Sequence, residues 1–190
     1  MELNMNYPDD VLVIDEFLPD FQRTRTHAIT SEFYSWLGPD GQEYKRVSLT
    51  RVPGLAQALV EAVGNIEIHG AGYRLNYDGE LPNQSIHSDV GWGTHACVVY
   101  LNEGPGGTAF WRHKATQTTE ISHGQSDLLE HIQGDFENAD AWEVWGHASI
   151  KANRAVIYRG DMFHSRFPLE GFGSTPEDGR LIVVAFFSFC

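Results

Sequence analysis

From Ile66 onward the sequence breaks into short strands separated by Gly, Pro and Asp turns, the pattern of a β-sandwich or jelly roll. The expected strands are 66–68, 73–77, 84–88, 95–101, 108–111, 142–150, 155–159, 162–167 and 181–189. Ahead of them, Asp10–Asp15 reads as a first strand, and Asp20 as the N-cap of a helix over 21–36 with Phe21, Ala28, Ile29, Phe33 and Trp36 as its apolar stripe. Gly38-Pro39-Asp40-Gly41 is a turn and 44–50 a short strand. Leu55–Val63 carries apolar residues at helical spacing. Both helices are expected to cover one face of a sheet, in a packing role. Residues 114–140 depart from the pattern. They form a polar insertion with a short helix over Ser126–Ile132, capped by Ser126 or Asp127, and connections of this length are often lids or binding loops near a barrel mouth.

A chain of 190 residues makes one domain, with 1–65 as the N-terminal strand and supporting helices and 66–190 as the β core. Its net charge of −13 argues against a nucleic-acid surface, which needs clustered Lys and Arg, and is compatible with a small or cationic substrate or with nothing more than solubility. A free amino acid, a peptidyl side chain or another small molecule all fit as substrate. The two cysteines, Cys97 in an apolar strand and Cys190, make no disulfide framework and fit a reducing compartment. No basic-then-apolar leader opens the sequence and no apolar run is long enough to span a bilayer, so a cytoplasmic location and no membrane association are expected. Leu181–Phe189 serves equally as a buried strand or an interface edge, which leaves the oligomeric state open.

The chemistry centres on Gln84–Trp92, Gln-Ser-Ile-His-Ser-Asp-Val-Gly-Trp. His87 and Asp89 are two residues apart, so on a strand they share a face. One imidazole and one carboxylate are two of the three donors of a 2-His-1-carboxylate triad, which holds Fe(II) on one side and leaves the other open. The third donor is expected far along the chain, and His164 is the best candidate. Among nine histidines a His-x-Asp arises easily by chance, and most histidines are surface or hydrogen-bonded core residues. The flanking order carries the argument. Tyr73–Tyr77 and an Asp-Gly-Glu-Leu-Pro loop precede the motif, while Ala96–Asn102, a Gly104–Gly107 turn, His164 and Gly179-Arg180 follow it. There is no Gly-x-Ser-x-Gly elbow and no phosphate loop, and neither cysteine lies in a metal-binding pair.

This order resembles the prolyl-4-hydroxylase-like branch of the 2-oxoglutarate/Fe(II) dioxygenases over about Tyr73–Phe189. The details of Thr108–Lys114 and Asn153–Tyr158 look like a bacterial subgroup of these oxygenases. The resemblance implies a double-stranded β-helix (jelly roll, cupin-like), mainly β with flanking α, its N-terminal helices packed on one sheet. It implies Fe(II) on His87, Asp89 and His164, with O2 and 2-oxoglutarate as co-substrates. The far carboxylate of 2-oxoglutarate would rest on Arg180 and Tyr100, and Tyr77 would line the pocket. The stretch from His164 to Arg180 is longer than the family's usual gap, so Arg166 is the fallback anchor. A carboxylate at position 89 favours hydroxylation over halogenation. Arg74, Asn76 and Trp92 are read as facing substrate and Arg154 as an ion-pair partner. The competing readings are a cupin-like metal-binding protein and a metal dioxygenase or isomerase without a co-substrate.

Overall fold

The computed structural model describes residues 7–39, 41–81, 86–122 and 124–190. The sequence-based strand over 84–88 begins outside these residues, as do Asp40 of the expected turn, the stretch 1–6 and His123. In chain order the elements are β1 (Leu12–Ile14), α1 (Phe21–Ile29), β2 (Tyr34–Leu37), β3 (Glu43–Ser48), α2 (Leu55–Val63), β4 (Ile66–Asn76), β5 (His95–Tyr100), β6 (Gly107–His113), α3 (Ser126–Ile132), β7 (Trp142–Ser149), β8 (Ala155–Arg159), β9 (His164–Phe167) and β10 (Arg180–Phe189). They form a seven-stranded sheet, ordered β1-β8-β5-β10-β4-β3-β2, and a three-stranded sheet, β7-β6-β9. All named pairings are antiparallel, giving a jelly-roll-like sandwich.

Strand alternation decides what each face of the large sheet touches. Tyr73 and Leu75 of β4, Cys97 and Val99 of β5, Ile157 of β8, and Leu181, Val183, Ala185 and Phe187 of β10 pack against Leu18, Ala28, Leu55 and Leu59 from the helical layer. The other parity, Ala96, Val98, Tyr100, Val156, Tyr158 and Ile182, faces Phe110 and Ala148 of the small sheet. Arg74, Asn76 and Arg180 belong to this inward parity, because Arg74 stands opposite Ile182 and Asn76 opposite Arg180.

Several local expectations change. The first helix stops at Ile29, where Thr30 Oγ1 bonds the Thr26 carbonyl at 2.9 Å and Ser31 Oγ the His27 carbonyl at 2.7 Å. Side chains competing for the last carbonyls end the helix, so Phe33 falls outside it and Trp36 joins β2. Asp20 does cap the helix, accepting from Arg23 N. The expected strands 66–68 and 73–77 are one strand, β4. Gly72 lies inside it because a Cβ there would sit 2.6 Å from Ser48 O, so glycine marks a close backbone approach here and not a break. Gln125, not Ser126 or Asp127, occupies the N-cap position of α3.

The described residues of the insertion pack away from the two cavities beside the His–Asp cluster. Its Ile121 and Ile132 pack with Trp111, Trp142 and Phe163 behind the small sheet. Among the described residues, none of 114–140 lines the cavities around the His–Asp cluster. It braces that cluster from behind, since Phe163 N donates to Thr119 O (2.9 Å) and Ile121 N to Asp161 O (2.9 Å).

Two stability predictions arise here. A Cβ on Gly107 would lie 1.9 Å from Ala148 O of the paired strand β7. Gly107→Ala is therefore expected to cost about 3 kcal/mol or more, read from chemical denaturation, because two backbones must separate. Arg154 behaves as the expected ion-pair partner. It and Lys151 each contact Asp15 at 2.7 Å, tying the segment after β1 to the start of β8. The Arg154 hydrogen bond first, then that of Lys151, lowers Asp15 to about 2. Its folded pKa lies below the unfolded one, so the contribution is complete above about pH 4 and lost as pH falls towards 2. Asp15 is exposed, which limits the effect to less than about 1 kcal/mol. The stability difference between wild type and Asp15→Asn is expected to shrink over that window in pH-dependent denaturation.

Candidate metal centre

His87 and His164 face each other across an isolated antiparallel bridge. His87 N donates to His164 O at 3.1 Å and His164 N to His87 O at 2.8 Å, which sets the imidazoles side by side with centroids 4.5 Å apart. Asp89 is fixed separately, its N–H donating to Gly160 O at 2.6 Å. Gly160 permits this approach, because a Cβ there would already lie 3.0 Å from Gly93 O. The expected regular strand through His87 and Asp89 is thus a single bridge followed by a turn, in which Trp92 N bonds Asp89 O at 3.0 Å.

The three donor groups lie within 4.8 Å of one another. Asp89 Oδ2 is 3.2 Å from His164 Nε2 and Oδ1 is 3.9 Å from His87 Nε2. His164 Nδ1 lies 3.0 Å from the Met162 carbonyl, to which it can only donate. A neutral His164 then turns its Nε2 lone pair on a carboxylate oxygen, and two acceptors at 3.2 Å need a cation between them. Without a metal, a proton fills that role. Burial is the largest single influence on His164 and pushes its pKa down, but the Asp89 charge, its hydrogen bond and the Met162 carbonyl together raise it. For Asp89 burial pushes upward, and His164, His87 and Arg74 outweigh it, so its pKa ends lowered. Two imidazoles and one carboxylate, one imidazole oriented by a carbonyl, suit a divalent transition metal.

Two cavities meet at this cluster. An inner one of 110 Å³ includes Asn76, Thr108, Tyr158, Arg166 and Arg180 in its wall. An outer one of 550 Å³ includes Trp36, Leu49 and Trp92. Tyr44, Arg74, His87, Asp89, Val184 and Phe186 border both. Arg180 is buried, its guanidinium 6.0 Å from the Tyr100 ring centroid, and its Nε has no hydrogen-bond partner among the described residues. Arg166 is already engaged, donating to the carbonyls of Leu169 and Glu80. Tyr100 reaches the inner cavity indirectly, through a 2.7 Å hydrogen bond to Thr108 Oγ1.

Tyr77 is placed elsewhere. It continues the parity of Tyr73 and Leu75, packs towards the helical layer and lies under the Arg46 guanidinium at 4.7 Å, outside both cavities. Asn76 stands inside in its stead, as period-two counting from Tyr73 already indicates. Sequence reasoning misses Tyr158, whose ring is 4.6 Å from His164 and whose hydroxyl burial raises well above the ordinary tyrosine pKa. Its signal is the alternation of β8, which puts Val156 and Tyr158 on one face. Of the remaining histidines, His113 is held by Thr116 (2.9 Å) and Asp135 (3.1 Å), away from the cluster.

The fold is similar to that of EvdMO1, with a TM-score of 0.53 at 13% identity. That match covers 94% of this chain and 47% of EvdMO1, so the chain spans about half the length of that protein. It is similar to an oxidoreductase of the 2OG-Fe(II) oxygenase family from Burkholderia pseudomallei, with a TM-score of 0.53 at 8% identity, covering 94% of this chain and 85% of that one. It is also similar to SnoK, a non-heme alpha ketoglutarate dependent carbocyclase from nogalamycin biosynthesis, with a TM-score of 0.52 at 10% identity, covering 94% and 79%. At such identities the likeness is one of fold alone, a jelly-roll-like sandwich. No curated protein sequence matches the chain, and no helix among the described residues is long and apolar enough to cross a membrane. Residues 83–187, a stretch that contains all three donors and Arg180, match the model of DUF6445, a family of unknown function, and the chain belongs to that family.

Proposed function

We propose that this protein is an Fe(II)- and 2-oxoglutarate-dependent oxygenase that hydroxylates a C–H bond of an amino-acid, peptidyl or other small-molecule substrate. The carrying observation is the convergence of His87, Asp89 and His164 within 4.8 Å, beside a small cavity walled by Arg180. The ordered Tyr-Leu-Asn strand, Gly-Gly turn, distal His and following Arg support placing it nearest the prolyl-4-hydroxylase-like branch.

His87, Asp89 and His164 would hold the metal, the Met162 carbonyl keeping the His164 Nε2 lone pair turned inward. Bound there, Fe(II) with 2-oxoglutarate supplies the coupling by which O2 oxidises a substrate C–H to C–OH while 2-oxoglutarate becomes succinate and CO2. Arg180 would grip the far carboxylate of 2-oxoglutarate, being buried in the inner cavity and, unlike Arg166, not already spent on carbonyls. Tyr158, kept neutral by burial, retains a hydroxyl proton to donate in the inner cavity. Tyr100 would act through Thr108, holding that hydroxyl in place.

The test is anaerobic titration of the metal-free protein with Fe(II) and then 2-oxoglutarate. A weak visible charge-transfer band is expected only when both are present. If iron binds and 2-oxoglutarate adds nothing, a metal-binding barrel without this co-substrate replaces the reading.

A further inference from the structure

Several arginines of this acidic chain are matched with carboxylates. Arg154 meets Asp15, Arg159 meets Asp10, Glu120 and Asp161, and Arg112 meets Glu143. Arg74 is an exception of another kind than Arg180. Its Nε is buried without a hydrogen-bond partner, and no ion pair reaches it among the described residues. Its ring contact is Tyr44, 5.0 Å from the guanidinium carbon. A cation withdrawn from water without an anion is costly, and such a group persists where a ligand completes it.

The register of β4 on β10 separates the two guanidiniums. Arg180 stands opposite Asn76 and borders the inner cavity, whereas Arg74 stands opposite Ile182, one same-face step nearer Val184 and Phe186. Arg74 therefore borders the outer cavity as well, which Arg180 does not. Charge points the same way. The cationic lining residues of the inner cavity are Arg74, Arg166 and Arg180, against Asp89 as its acid. Burial, then the nearby Arg180 and Arg74, push Arg166 down to about 9, as expected where cations crowd. Asp89, whose charge is felt at Arg74, would be taken by the metal, Arg166 is engaged by two carbonyls and Arg180 would be taken by the co-substrate. That leaves Arg74 with no ion pair among the described residues and no hydrogen-bond partner at Nε.

The rest of the outer cavity is aromatic and drawn from separate elements. Trp36 of β2 lies 5.9 Å from Trp92, which lies 5.1 Å from Phe186 of β10, and Tyr44 of β3 lies 5.9 Å from Trp36. We infer that Arg74 is a second anion site, facing the outer cavity, that selects substrates carrying a carboxylate on an aromatic or broad apolar body. The inference rests on the oxygenase reading for what the ligand is for, and not for whether it binds.

The test is calorimetric titration of the full-length protein, with excess Zn(II) and 2-oxoglutarate present, using indole-3-acetate and its neutral analogue indole-3-acetamide as probes. Wild type is expected to bind the carboxylate about tenfold tighter than the amide, the worth of one charge-assisted hydrogen bond. Arg74→Gln should bind both at the amide's affinity, Arg74→Lys should restore part of the preference, and Arg180→Gln should keep it. Should Arg74→Gln fail to fold by circular dichroism, the lysine variant and Trp92→Ala carry the test, the latter weakening both probes equally. Binding of neither probe by wild type, no preference between them, or a preference that follows Arg180 overturns the inference. If the preference follows Arg74 while the Fe(II)/2-oxoglutarate band never forms, the oxygenase reading falls and the anion site stands.

Discussion

His164→Ala is expected to abolish tight ferrous-iron binding and, with it, the proposed charge-transfer band with 2-oxoglutarate. The expected loss of metal affinity is a hundredfold or more, larger than the ~10–100-fold that follows removal of a group standing behind a ligand. Its two geometric supports are particular to this position: the bridge to His87 that pairs the rings, and the Met162 carbonyl that turns Nε2 towards Asp89. Among the described residues no histidine besides His87 and His164 joins Asp89 in this cluster, so nothing nearby substitutes. The variant also leaves Asp89 buried with one partner fewer, so a modest fall in stability is expected and should be read separately by denaturation. His113→Ala, which loses contacts to Thr116 and Asp135 away from the cluster, should keep its iron. Unchanged iron affinity in folded His164→Ala would sink the metal assignment.

Arg180→Gln separates the co-substrate from the metal. Iron affinity should stay near wild type, while 2-oxoglutarate affinity falls by roughly two orders of magnitude, or ~3 kcal/mol, for two charge-assisted hydrogen bonds lost together. The ligand-free protein should move the opposite way. A buried guanidinium whose Nε has no partner among the described residues is a cost of the folded state, and a neutral amide removes that cost. Thermal unfolding of the ligand-free variant is therefore expected at or above the wild-type temperature, with the order reversed once 2-oxoglutarate saturates wild type. Equal 2-oxoglutarate affinity in both proteins, with the loss found instead in Arg166→Gln, would move the anchor to Arg166.

The sequence alone determined what depends on residue type and short-range order. The His87 and Asp89 donors, the distal His164, the strand-rich C-terminal region and the α2 periodicity are local signals, and the structure brings those donors together. Local signals also misled where a long-range contact outweighs them. Gly70 and Gly72 read as a break, yet β4 runs through them because strand β10 pairs along its length and Ser48 crowds Gly72. The apolar stripe through Phe33 and Trp36 reads as helix, yet Thr30 and Ser31 terminate it and β3 recruits Trp36. Tyr77 is expected in the pocket by resemblance alone, but position in a loop-connected motif does not set which face a side chain takes, and strand parity does. Only the tertiary structure decided that residues 114–140 brace the site from behind, and that Arg74 and Arg180 stand one same-face step apart. Register between β4 and β10 joins residues about a hundred positions apart, and it is set by the pairing of whole strands rather than by any residue near Arg74.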